Sequence, residues 1–226
     1  MRFDGFGPSA LRFYDELAEN NDRGWWQDNK ARYETEIRAP LEYLLDDLAA
    51  EFGEGKVFRP NRDTRFSADK SPYKTAAAAV IHGPEGSIAT LYVQVSATGL
   101  VVGGGSYHPA RDQLARLRAA IADHRTGSEL DGIVAGIEKA GGAPGHGDKL
   151  KTAPRGYSAD HPRIELLRMK GLVALFEHSP EPWIHKAEAR DQVAANWRAL
   201  GPLNAWLDRN VGPSTEPPPP PRGGRR

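Results

Sequence analysis

Ile88-Ala89-Thr90-Leu91-Tyr92-Val93-Gln94-Val95-Ser96-Ala97 is the stretch that decides the fold. Ala89, Leu91, Val93 and Val95 fall on one side of an extended chain, and Thr90, Tyr92, Gln94 and Ser96 on the other, because successive strand side chains point to opposite faces. This alternation predicts a half-buried strand whose second side is solvated or faces a ligand. Thr98-Gly99 supplies a turn, and Leu100-Val101-Val102 opens the next strand. Upstream, residues 76–82 are small and β-compatible, and Gly83-Pro84-Glu85-Gly86 turns the chain. Runs joined by such short turns predict an antiparallel meander of at least three strands.

Helical periodicity flanks the meander. In residues 8–20, Ala10, Phe13, Tyr14, Leu17 and Ala18 recur at helical spacing, and Asn20-Asn21-Asp22 ends that helix and caps the next. From Asp22 onward, Trp26, Tyr33, Ile37, Leu41, Leu45, Leu48 and Phe52 line one face, until Gly53 and Gly55. Pro40 must kink or split this helix, since it removes a donor and clashes with the preceding turn. Trp25 and Trp26 are expected in the core.

After the meander, Gly103-Gly104-Gly105-Ser106-Tyr107-His108-Pro109 leads into a helix over 109–123. The glycine run reads either as an anion-binding helix entrance or as a bulge that lets something bulky, such as an indole, lie against the sheet. A short helix over 128–139 and a flexible loop over 141–147 follow. A helix starting at His161-Pro162 carries Ile164, Leu167, Leu172, Leu175 and Phe176 as its buried stripe. The last helix covers 186–209, interrupted near Gly201-Pro202. Helices, then strands, then helices predict an α+β fold: an antiparallel sheet of at least three strands with helices packed mainly on one face. One domain is expected over 1–212. The tail, 213–226, has a proline run that favours extended polyproline II and packs no core, so it is expected to be disordered.

The 226 residues contain no cysteine, which excludes disulfides, thiolate metal sites and cysteine nucleophiles. The N-terminal residues have no apolar core of signal-peptide length, and no run approaches the ~20 apolar residues of a membrane span. A cytoplasmic protein without membrane contact is expected.

Net charge is zero, but the distribution is uneven. Residues 56–75 and 149–170 together hold 12 of the 30 basic residues and 4 of the 30 acids, which leaves 18 basic and 26 acidic residues elsewhere. Two basic islands in an acidic body point to an anionic partner. The two stretches also share a theme: an Arg, an aromatic, Ser-Ala-Asp and a further cation.

The pattern Arg65-Phe66-Ser67-x-Asp69-Lys70-Ser71-Pro72-Tyr73-Lys74-Thr75, with Asn61-Arg62-Asp63 before it, resembles the bacterial family catalogued as domain of unknown function 2461. So do Pro154-Arg155-Gly156-Tyr157 and Asp160-His161-Pro162-Arg163, the Asn20–Tyr33 segment, and the glycine run before Pro109. The likeness covers roughly residues 3–208. It implies no activity and no catalytic residue.

The residues themselves suit anion recognition. Arg offers a planar fork for phosphate or carboxylate, and Lys a compact point charge. Arg62, Arg65, Lys70, Lys74, Arg155 and Arg163 are the candidate cations, with Tyr73, Tyr157 and His161 completing a ligand pocket built from both stretches, and Ser67, Ser71 and Thr75 as neutral donors. The competing reading is architectural: Asp63, Asp69 and Asp160 pair with these cations and pin loops to the sheet. For an enzyme, a phosphoester hydrolase or transferase, His82, His108 and His161 are the acid/base candidates. His161 serves equally as a cap before Pro162. Phe58, Phe66, Tyr73 and Tyr157 among the cations also suit single-stranded nucleic acid, although no nucleic-acid module signature is present. The proline-rich tail suits a protein partner. No metal-ligand spacing appears, and no cofactor is expected.

Overall fold

The computed structural model describes residues 2–65, 68–145 and 147–216. Phe66, Ser67, His146 and the 217–226 part of the expected tail lie outside the described residues.

The expected meander forms the middle of a larger sheet. Strands β1 (Gly55–Val57), β2 (Ala76–His82), β3 (Thr90–Ser96), β4 (Gly99–Ser106), β5 (Ala143–Pro144) and β6 (Leu172–His178) run in the order β1-β2-β3-β4-β6-β5, all antiparallel. Val93 and Val95 are fully buried, while Thr90, Tyr92 and Gln94 are partly exposed, as the alternation requires.

Helices α1 (Ala10–Glu19), α2 (Arg23–Tyr33), α3 (Ala39–Phe52), α4 (Arg111–Ala122), α5 (His124–Lys139), α6 (Ile164–Leu167) and α7 (Glu188–Asn210) complete the α+β fold. The Asp22 carboxylate caps α2 as expected, accepting from the N–H groups of Gly24 and Trp25 at 2.7 and 3.0 Å. The helix is split next to Pro40, as expected. A π-helical turn, Glu34–Arg38, joins α2 to α3 and places Pro40 in the first turn of α3, where a missing N–H costs little. Helix α7 runs unbroken through Gly201 and Pro202.

Three further expectations are corrected. The run Leu172-Val173-Ala174-Leu175-Phe176 is strand β6, not the continuation of a helix, and α6 covers only Ile164–Leu167. Its neighbour Gly171 explains the tight entry: a Cβ there would lie 2.5 Å from the carbonyl oxygens of Ser106 and Tyr107. Part of the 141–147 loop is β5, laid along the β6 edge. Finally, Gly103, Gly104 and Gly105 lie inside β4, paired on both sides with β3 and β6. Their backbone groups serve the ladders, so the run is no anion-binding helix entrance. Helix α7 crosses it closely, and a Cβ on Gly104 would meet Leu200 at 3.2 Å and Leu91 at 3.3 Å. What presses on the glycines is therefore leucine. The nearby indole of Trp197 donates to the Tyr92 carbonyl at 3.1 Å.

The core lies between the sheet and the helices. Phe13, Tyr14, Trp26, Tyr33, Trp197 and Trp206 are all buried in it.

Candidate functional site

Residues 58–75 connect β1 to β2. The segment closes on itself: Arg62 N–H donates to Pro72 O at 2.9 Å, Lys74 N–H donates to Pro60 O at 2.8 Å, and Asn61 and Tyr73 form an isolated β-bridge. Asn21, just before α2, clamps it from outside. Its amide nitrogen donates to Tyr73 O at 3.0 Å and its amide oxygen accepts from Tyr73 N–H at 3.1 Å. The Tyr73 ring stacks on Trp26 at 4.1 Å, 10° from parallel, and Tyr73 is only 6% exposed. Tyr73 is thus the anchor of this loop.

Between the loop and the start of α2 is a cleft of about 430 Å³, lined by Arg23, Arg62 and Lys70 with Asn21, Asn61 and Asp22. A second cleft of about 330 Å³ lies beyond Asn61 and Tyr73, where Lys30, Glu34 and Arg38 come up from α2 and the π turn.

The acids expected to pair with these cations do so. Arg62 bonds Asp69, whose Oδ1 also accepts from Ser71 N–H at 2.9 Å. The Ser71 hydroxyl and N–H, then Arg62, hold Asp69 down at about 2. Arg65 grips Asp63 through two bonds of 2.9 and 2.7 Å and holds it down at about 2. The Arg65 side chain is 78% exposed. Lys70 Nζ donates to Thr64 O at 3.0 Å. Lys74 sits 5.3 Å from the centre of the Phe58 ring, and burial, then the Arg59 charge, lowers its pKa from the ordinary lysine value.

The second stretch is used differently. The Arg163 side chain is only 12% exposed. It donates to Asp131 at 2.7 and 2.9 Å and to Ser128 at 3.2 Å, and so ties the start of α6 to α5. His161 Nδ1 accepts from Arg163 N–H at 3.0 Å in the turn before α6, which begins only at Ile164 and has no side-chain cap, so the expected cap is not formed. Tyr157 is half-buried against the core. Arg155 is exposed and forms no ion pair among the described residues.

The structure does not bring the two stretches together. Thr75 leads into Ala76, which faces Ser96, and Ser96 faces Gly99 at the start of β4. Residues 149–170 lead toward Leu172, which faces Ser106 at the far end of β4. Seven residues of strand separate those ends by roughly 23 Å, and the three strand spacings from β2 to β6 add roughly 14 Å across the sheet. Neither cleft is lined by any residue of 149–163. Arg62 and Lys70 line one cleft; Arg155, Tyr157, His161 and Arg163 belong to the opposite corner.

The model of a family described as conserved hypothetical protein, DUF2461, matches residues 9–206. The chain belongs to this family. No curated protein is significantly similar to it. The match spans both cationic stretches and the whole sheet of this DUF2461 member, and ends within α7. Among the described residues no helix is long and apolar enough to cross a membrane, and no group of three His, Asp or Glu side chains is placed to hold a metal ion.

Sequence reasoning missed Arg23 and Asn21 as partners of the first stretch. Their signal was present in Asn20-Asn21-Asp22-Arg23, but it was absorbed by the capping role of Asp22. Nothing local says that Asn21 reaches across 52 positions to Tyr73.

Proposed function

We propose that the cleft between residues 58–75 and the start of α2 binds a small phosphate- or carboxylate-bearing ligand in the bacterial cytoplasm. The observation that carries this reading is the convergence of Arg23, Arg62 and Lys70, with the amides of Asn21 and Asn61, around one 430 Å³ cleft. That volume lies in the range of small-molecule sites. Two guanidinium forks and an ammonium match an anion with several oxygens. The Asn21–Tyr73 clamp and the Trp26 stack hold the loop before any ligand arrives, so less freedom is lost on binding. Arg62 and Asp69 form a partly exposed pair, and such a pair is cheaply rearranged in favour of a ligand.

Binding is favoured over phosphoester chemistry by the state of Asp22. It is the carboxylate lining the cleft, and its Oδ1 already takes two helix N–H groups, which gives it the place of a helix cap.

A thermal-shift panel of phosphate, pyrophosphate, nucleotides, sugar phosphates and citrate tests the reading. A ligand that binds only the folded chain adds ~2.7 kcal/mol at a hundredfold excess over its dissociation constant. The shift should vanish in Arg62→Ala and Lys70→Ala and persist in Arg155→Ala. No shift with any anion, or one that survives both cleft variants, would end it.

A further inference from the structure

The helices α1, α3 and α7 pack on one face of the sheet. The other face carries a cavity of about 600 Å³. It is shaped like a trough, and the sequence of β4 explains why. Of β4 and the residue after it, Val101, Gly105 and Tyr107 line this face, so beside Gly105 the floor of β4 is bare backbone, while Leu175 covers Gly103. Side chains of the neighbouring strands make the walls: Tyr92 from β3 on one side, Val173 and Leu175 from β6 on the other. Leu175 leans over the floor so closely that a Cβ on Gly103 would lie 2.4 Å from it. The large hydrophobic side chains that stand exposed among the described residues, Phe58 at 39% and Tyr107 at 54%, both border this cavity. Apolar surface gathered this way marks a binding site more often than chance exposure does.

The charge in the trough is of one kind. Glu177 is its only charged lining residue, and it forms no ion pair among the described residues. The Tyr92 hydroxyl donates to Gln94 at 2.6 Å, and burial, then Tyr107, raises the Tyr92 phenol to about 12, so this ring stays neutral. Aromatic faces beside one unpaired carboxylate suit a cation, which a ring attracts through its quadrupole.

We infer that the trough is a second binding site, separate from the anion cleft, and that it takes a planar aromatic cation. The trough admits a ring system against Gly105 and the Tyr92 and Tyr107 rings, and Glu177 meets its positive end.

The test uses the full chain and two flat probes of opposite charge: proflavine, a planar aromatic cation, and 8-anilinonaphthalene-1-sulfonate, an aromatic anion. Fluorescence anisotropy should show saturable one-to-one binding of proflavine and much weaker binding of the sulfonate. Glu177→Gln should weaken proflavine binding about fivefold and Tyr92→Leu about tenfold, while Glu177→Lys should invert the preference toward the sulfonate. Glu177 is exposed at the surface of β6, so its variants keep the test meaningful if Tyr92→Leu does not fold; melting temperatures check this. The inference is overturned if the sulfonate binds as well as proflavine, if Glu177→Lys leaves proflavine binding unchanged, or if proflavine does not bind.

Discussion

Asn21 does more for the first cationic loop than any of its charges. The side chain satisfies both backbone groups of Tyr73, a residue almost without solvent access. Removing it leaves a buried donor and a buried acceptor unpaired, which costs about 1–3 kcal/mol. Asn21→Ala should therefore lower stability by about 2 kcal/mol in urea unfolding, with the loss of the Trp26–Tyr73 stack visible in the near-ultraviolet circular dichroism. Arg65→Ala should be close to neutral in the same experiment, because its pair with Asp63 is exposed. An unchanged stability for Asn21→Ala would remove the clamp from the account.

Among the elements, β4 and α7 show how glycine sets a layer spacing. Gly104 lets Leu200 and Leu91 meet the strand, and any larger side chain must push α7 outward. Gly104→Val should destabilise by about 1–3 kcal/mol, as overpacked cores do. Gly132→Ala and Gly136→Ala on α5, where nothing lies within 4 Å of the added Cβ, should each stabilise by about 0.5–1 kcal/mol. Thermal or denaturant unfolding measures all three, and a neutral Gly104→Val would contradict the close crossing.

The same elements show what was legible in the sequence. The period of two in residues 88–97 gave β3 and its neighbours because one side of that strand faces the core and the other does not. Strand β6 carries no such signal: Leu172, Val173, Ala174 and Phe176 are all buried, so its run is continuously apolar and matches a helix stripe as well as a central strand. Strands β1 and β5 are three and two residues long and exist only through their partners. In the candidate site, the cations of 58–75 and their Asp partners were readable from composition. Which island they shared a cleft with was not, because strand order and register decide it. Arg163 and His161 look like site residues in sequence, yet one is a tether to Asp131 and the other closes the turn before α6.

At the scale of the whole molecule, the buried aromatic cluster sets the alkaline limit of the fold. Burial raises both the Tyr14 and Tyr33 phenols, Tyr33 to about 12, and neither hydroxyl has a hydrogen-bond partner among the described residues. In the unfolded chain a phenol titrates near ~10. The folded pKa is raised, so the stability tied to neutral phenols is fully present below about pH 10 and is lost as pH rises toward and through 12. Alkaline unfolding should begin in that window, and Tyr14→Phe and Tyr33→Phe should move it to higher pH without loss of stability at neutrality, since each removes an unpaired buried group. An unfolding curve that is identical in both variants would show that other groups govern it.

The central claim is that the anion site belongs to one cationic island and the other has no part in it. Isothermal calorimetry with pyrophosphate tests it most directly, on the intact chain and on Arg23→Ala, Arg62→Ala and Arg155→Ala. The result expected is binding that Arg23→Ala and Arg62→Ala each weaken about tenfold or more, about the worth of one hydrogen bond to a charged group, while Arg155→Ala leaves it unchanged. Binding lost in Arg155→Ala, or kept in both cleft variants, would contradict it.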